Sequence, residues 1–125
     1  MSVTSKYGKE KWIDNGRGRI PVGSGEGEYL PYNLLYGALS ACYYYTLESL
    51  CEKMKIDYEE VTITIDGKKR DEKVATLEYV DFKIEALGVT DKKKFTKACE
   101  LAGKYCSIHA TVAMVAKMNH EIIFL

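Results

Sequence analysis

Thr62 and Thr64 separate Val61, Ile63 and Ile65, and that alternation is the period of a half-buried strand. Asp66-Gly67 follows and reads as a turn, with the charged segment Lys68 to Lys73 behind it. Val80, Phe82 and Ile84 then alternate with Asp81, Lys83 and Glu85, which predicts a second, longer strand with one wet face, able to pair antiparallel with the first. Upstream, the run from Leu34 carries no charge until Glu48. Within it Leu35, Leu39, Cys42, Thr46 and Leu50 fall at steps of three and four, predicting a helix capped by Asn33 and running to about Lys55. Cys42 lies on its inward stripe, and Cys51 about half a turn away.

Beyond the strands, Thr90 or Asp91 caps a further helix with Phe95, Ala98, Leu101 or Ala102, and Tyr105 on its apolar side. Gly103 weakens that helix. A break is expected near Tyr105 and a new helix around Ser107, its apolar face Ile108, Val112, Val115 and Met118. "EIIFL" closes the sequence as a strand. From Tyr7 to Leu30 the glycine-rich pattern predicts short strands or a hairpin joined by a loop. The string "GSGEGE" lacks the Lys-Ser/Thr pair of a phosphate loop and carries acids where a phosphate needs donors, so nucleotide binding is not expected.

The 125 residues suit one domain, 1–125, with one core. Eighteen basic and 18 acidic residues cancel, so no electrostatic footprint for nucleic acid or an anionic membrane is visible. Lys92-Lys93-Lys94 reads as a solvated helix face. The uncharged run at Leu34 to Leu47 is short for spanning a bilayer, and "MSVTSKYGKEKW" has no apolar core of a signal segment. A cytoplasmic location is expected. Cys42, Cys51, Cys99 and Cys106 contain no C-x-x-C pair, and His109 and His120 complete no zinc pattern, so neither a disulfide framework nor a metal site is expected. His109, three residues after Cys106, reads as a packing or surface residue. The Tyr43-Tyr44-Tyr45 cluster spans three helix faces, so at least one ring packs inward and another is exposed.

Cys42 is either core filler, the ordinary lot of a free cysteine, or a reagent. Two segments bear on that choice: "PYNLLYGALSAC", Pro31 to Cys42, and "AGKYCSIHATV", which carries Cys106 at a helix break. From about Pro31 onward the chain resembles the OsmC/Ohr superfamily, the osmotically inducible and organic-hydroperoxide-resistance proteins. The resemblance implies an α+β fold, a central long helix with antiparallel sheets, in an intertwined homodimer. It also implies reduction of organic hydroperoxides, with Cys42 as the peroxidatic thiolate and Cys106 as the resolving thiol. No cofactor is implied; the partners are a second copy, a small hydroperoxide and a thiol reductant that the sequence does not identify.

Where well-equipped members of that superfamily place a glutamate that orients an arginine, this chain has Tyr32 and Asn33. Arg19, or Arg17, is then the candidate cation for substrate binding. Cys51 and Cys99 are expected to be structural. The alternative class of function is a non-catalytic protein of the same fold that binds a small hydrophobic ligand.

Overall fold

The computed structural model describes residues 2–125, which divide into two compact units at Gly37/Ala38. In the first, β1 (Thr4–Tyr7), β2 (Lys11–Asp14) and β3 (Arg19–Pro21) form an antiparallel meander. Asn15 turns the second hairpin: its Oδ1 accepts from the N–H groups of Arg17 and Gly18 at 2.9 and 3.1 Å. None of the described residues up to Gly37 is buried, so this sheet has no core of its own. The "GSGEGE" loop is closed by its own acid, since Glu28 Oε1 accepts from Gly25 N at 2.9 Å. Its amides thus serve the loop itself.

The helix α1 spans Pro31–Lys53, starting two residues before the expected cap. Pro31 suits the first helical position because its missing N–H has no partner there anyway. Asn33 does not cap from outside; from the first turn its Oδ1 accepts the N–H of Leu30 at 2.9 Å, the reach-back half of a capping box.

The second unit takes the body of α1 together with β4 (Glu60–Lys69), β5 (Leu77–Leu87), α2 (Lys92–Tyr105), α3 (Ser107–Ala113) and β6 (Lys117–Phe124). The sheet order is β4-β5-β6, with β4 antiparallel and β6 parallel to the central β5. Every second residue of β5, Val80, Phe82, Ile84 and Ala86, is buried, as the alternation requires. On the edge strand β4 the matching residues Val61, Ile63 and Ile65 are half-buried. Leu39, Tyr43, Leu47 and Cys51 of α1 and Phe95, Ala98 and Ala102 of α2 are buried too, with Tyr43 packed on Phe82 of β5 and Phe95 on Phe124 of β6. Full burial of a side chain such as Phe82 contributes about 2–3 kcal/mol.

Three expectations are corrected. The inward stripe of α1 is Leu39-Tyr43-Leu47-Cys51, not the one through Cys42: four-residue steps carry the large Tyr43 inward and leave Cys42, Thr46 and Leu50 on the flank. Asp66-Gly67 is no turn. It stays in the ladder opposite Asp81 and Val80, and the chain reverses at 70–76, where Arg70 N bonds Thr76 O at 2.7 Å. The helix from Ser107 stops at Ala113, and Met118 belongs to β6, paired with Val80. Asp91 caps α2 as expected by accepting from Lys94 N at 3.0 Å, and the chain breaks after Tyr105, but Tyr105 is exposed and the last strand begins at Lys117, before "EIIFL". Among the described residues no helix is long and apolar enough to cross a membrane.

Arg70 ties the β4–β5 loop to the end of the α3 segment: its guanidinium donates to Thr76 Oγ1 at 3.1 Å, to the Leu77 carbonyl, and to Val115 O at 2.8 Å. Replacing Arg70 with alanine leaves those acceptors without their charged donor. The expected loss is about 2 kcal/mol in urea unfolding, from removing hydrogen bonds to a charged group.

Candidate functional site

Two cysteines 64 residues apart in sequence meet in the second unit: Cys106 Sγ lies 2.9 Å from Cys42 Sγ, and both thiols are free. A covalent bond would bring the sulfurs to about 2.05 Å, so less than an ångström separates this contact from a disulfide. Cys42 arrives from the middle of α1. Cys106 arrives from the break between α2 and α3, with extended backbone at φ −74° and ψ 117°. Its N–H closes α2 on Ala102 O at 2.9 Å, while its sulfur accepts from His109 N at 3.4 Å, the place a serine or aspartate oxygen usually takes at a helix start.

The two thiols differ in accessibility and in acidity. Cys42 is half-exposed and opens on a cleft of about 760 Å³ lined by Tyr45, Thr46, Leu50, Lys53 and Tyr105. Cys106 is buried. The Cys106 thiol donating to Cys42 holds the Cys42 thiol below its ordinary value, against some opposing desolvation; the Ile108 N–H and the Ser107 hydroxyl and N–H act in the same direction. Burial pushes the Cys106 thiol up, and its bond to Cys42 pushes the same way. The free N–H groups at the start of α3 therefore favour the thiolate of Cys42. The His109 and Ile108 N–H groups act on Cys106 in the same sense, but its burial outweighs them.

Cys51 and Cys99 are buried, and desolvation raises them to about 11 and about 12. Both therefore sit among packed core residues. The tyrosine cluster divides by face. Tyr43 is fully buried and donates to Cys99 O at 2.8 Å; Tyr44 bonds Tyr58 at 2.9 Å; Tyr45 is exposed and lines the Cys42 cleft.

Arg19 lies in the N-terminal unit, its Nε 3.4 Å from Asp14 Oδ2 and its guanidinium carbon 3.9 Å from the centre of the Trp12 ring. The first turn of α1 holds no carboxylate. No group of three or more potential metal ligands occurs among the described residues.

Sequence reasoning missed a histidine pair. His109, expected on a surface or in packing, is buried, and its Nε2 lies 2.9 Å from Nε2 of His120 with the ring centres 5.0 Å apart. Burial lowers His109; His120 is held down to about 4 by desolvation and by His109. Only the fold brings these positions, 11 apart, together: α3 carries one, and β6 sets the other opposite Phe82.

Residues 23–121 match the family model described as OsmC-like protein. No curated protein matches the sequence. Among solved structures, an OsmC-like protein from Mycoplasma pneumoniae superposes with a TM-score of 0.88 at 14% identity, covering 99% of this chain and 96% of that one. The organic hydroperoxide resistance protein OhrB of Bacillus subtilis gives 0.73 at 17% identity, over 97% and 96%. An organic hydroperoxide resistance protein OsmC from Legionella pneumophila gives 0.73 at 12%, over 98% and 95%. At these identities the likeness is one of fold, and it extends over nearly the whole of each chain.

The opposed shifts of the two thiols give a testable difference. With iodoacetamide, Cys42 is expected to react with a pH midpoint below that of an ordinary thiol, and Cys106 above it. Replacing Cys106 with alanine removes the S–H donor, so the Cys42 midpoint is expected to rise; an unchanged midpoint contradicts the assignment of cause.

Proposed function

The chain belongs to the OsmC-like protein family, and on that premise we propose that it reduces organic hydroperoxides by a two-cysteine mechanism, Cys42 attacking and Cys106 resolving. The observation that carries the reading is the 2.9 Å contact between an accessible thiol of lowered pKa and a buried thiol of raised pKa. Only the first can meet a substrate, so exposure sets the order of events. Two of the similar structures are themselves named organic hydroperoxide resistance proteins.

Atoms and electrons balance at each step. The Cys42 thiolate attacks the terminal oxygen of ROOH; the O–O bond breaks, an S–O bond forms, and the alkoxide leaves as ROH after taking a proton. Cys42 is then a sulfenic acid, and Cys106 condenses with it to a disulfide, releasing water. Loss of the negative charge on Cys42 removes one of the causes that hold the Cys106 thiol up, so oxidation of the first sulfur makes the second more acidic. Two equivalents of an external thiol return both cysteines to the reduced state. The cleft of Tyr45, Leu50 and Tyr105 offers ring and alkyl surface to the R group.

Arg19 is the cation we assign to hydroperoxide binding. Within its own unit its guanidinium is ion-paired with Asp14 and seated on the Trp12 ring. The working unit is an intertwined homodimer. A three-stranded sheet with no buried residue, and Ile20, Met114 and Val115 left exposed, leave apolar surface and strand edges that a second copy would cover.

Turnover of cumene hydroperoxide with a dithiol reductant tests the mechanism. Cys42→Ser is expected to abolish it, because a hydroxyl is a far weaker nucleophile at neutral pH. Cys106→Ser is expected to allow a single oxidation and leave a sulfenic acid, seen with dimedone. Cys42→Ser consuming peroxide at the wild-type rate contradicts the reading. Sedimentation equilibrium is expected to give twice the chain mass at micromolar concentration; a stable monomer contradicts the dimer.

A further inference from the structure

Away from the thiol pair, the second unit holds a larger pocket, about 830 Å³, between α2, the α3 segment and β6. Met118, Ile122 and Phe124 form one wall; Ala113 and Ala116 form another. The polar groups that converge inside are the imidazoles of His109 and His120. Neither Cys42 nor Cys106 lines it, so a ligand held there is independent of the peroxidase reading. Volume and lining are those of a small-molecule site: apolar walls with a few placed polar groups.

Gly103 opens the histidine pair to this space. A Cβ at that position would lie 3.5 Å from His109 Nε2 and 3.7 Å from His120 Nε2, so the glycine is the bare helix face directly over the two nitrogens. Glycine inside a helix costs about 1 kcal/mol relative to alanine, and an alanine would fit at ordinary contact distance. Packing therefore does not require glycine here. A methyl group there would lie over both nitrogens, and glycine leaves that approach open.

At 2.9 Å the two Nε2 atoms share a single proton, one nitrogen donating and the other accepting. A second proton would set two donors head to head, and the surrounding rings of Tyr43 and Phe82 supply no anion to offset the charge. A carboxylate changes that balance. With one added proton both Nε2 atoms carry hydrogen, and a turn of the two rings off the line joining the nitrogens lets each donate to one carboxylate oxygen.

Other ionisable groups face the pair from each neighbouring element. Tyr43 of α1 is committed to Cys99 O, and Cys99 is buried. Glu100 and Lys104 of α2 stand with opposite charges on the pocket lining. Asp66, Asp81, Lys83 and Glu121 line a smaller pocket on the sheet side of His120. Glu100 is ion-paired with Lys97 at 3.7 Å, which leaves the Lys104 ammonium on the lining as a further attraction for an acid beside the imidazoles.

We propose that this pocket binds a small amphipathic carboxylic acid, its alkyl chain along Met118, Ile122 and Phe124 and its carboxylate on the His109–His120 pair, with one proton taken up per acid bound. The free acid is ionised at neutral pH and the free pair is uncharged, so the bound state holds one proton more than the separated partners. Affinity then falls by about tenfold for each pH unit between 7 and 8.

Isothermal titration calorimetry of the full chain with decanoate, in two buffers of different ionisation enthalpy, tests this. The expected result is saturable binding, uptake of about one proton, and a Kd at pH 8 about tenfold weaker than at pH 7. Decanol is expected to bind more weakly and without that pH dependence. Gly103→Leu, which fills the mouth, is expected to weaken decanoate binding at least about tenfold, with hydroperoxide turnover unchanged. His120→Gln is expected to remove the pH dependence, and it stands as the deciding variant should the leucine protein fail to fold. No binding of decanoate at millimolar concentration overturns the proposal, whether because a second copy covers the pocket or for any other reason. So do equal affinity for decanol, a Kd independent of pH, or wild-type binding by a folded Gly103→Leu.

Discussion

The break at Cys106 is the constraint on which the thiol site depends. One residue ends α2 through its N–H and begins α3 through its sulfur, and its extended backbone stops the two helices from fusing. Continuous helix would retain the Ser107 and Ile108 N–H groups as internal donors, bonded four residues back. Broken there, the chain frees them, and they favour negative charge on Cys42. The same break brings the Cys106 sulfur within 2.9 Å of its partner.

That contact needs α1 and α2 to be held at a fixed offset, and Tyr43 supplies the anchor. It is the neighbour of Cys42, fully buried, and its hydroxyl donates to the carbonyl of Cys99 on α2, two turns before the break. A buried phenol that lost this acceptor would cost about 1–3 kcal/mol, so slipping one helix along the other is opposed by a specific bond as well as by packing. Because Tyr43 points into the core, Cys42 at the previous position is turned onto the flank. Accessibility of the Cys42 sulfur is a consequence of burying the residue beside it.

Much of this was legible in the sequence, where local signals and tertiary demand coincide. The alternation of Val80, Phe82 and Ile84, the Asp91 cap and the break after Tyr105 were readable for that reason, whereas the pairing of Cys42 with Cys106 was implied by the family resemblance alone. The signals failed where partners distant in sequence decide. Asp66-Gly67 favours a turn locally, yet pairing with Asp81 and Val80 keeps it extended, since the matching strand segment lies beyond the loop that Arg70 closes. Val115 and Met118 continue a helical period on paper, but pairing of Met118 with Val80 draws the chain into a parallel strand after a last turn of tight bonds at Met114 and Val115. In α1 two stripes of similar apolar content compete, and the bulk of Tyr43 and Leu47 selects the inward one. The histidine pair joins two elements by a contact no local pattern encodes.

The central claim is that Cys42 and Cys106 form one redox unit. The most direct measurement is peptide mapping by mass spectrometry after one equivalent of tert-butyl hydroperoxide is added to the fully reduced protein. The account predicts a disulfide joining the Cys42 and Cys106 peptides, with Cys51 and Cys99 still alkylatable after unfolding. A disulfide from Cys42 to Cys51 or Cys99, or four thiols left intact after the peroxide is consumed, would contradict it.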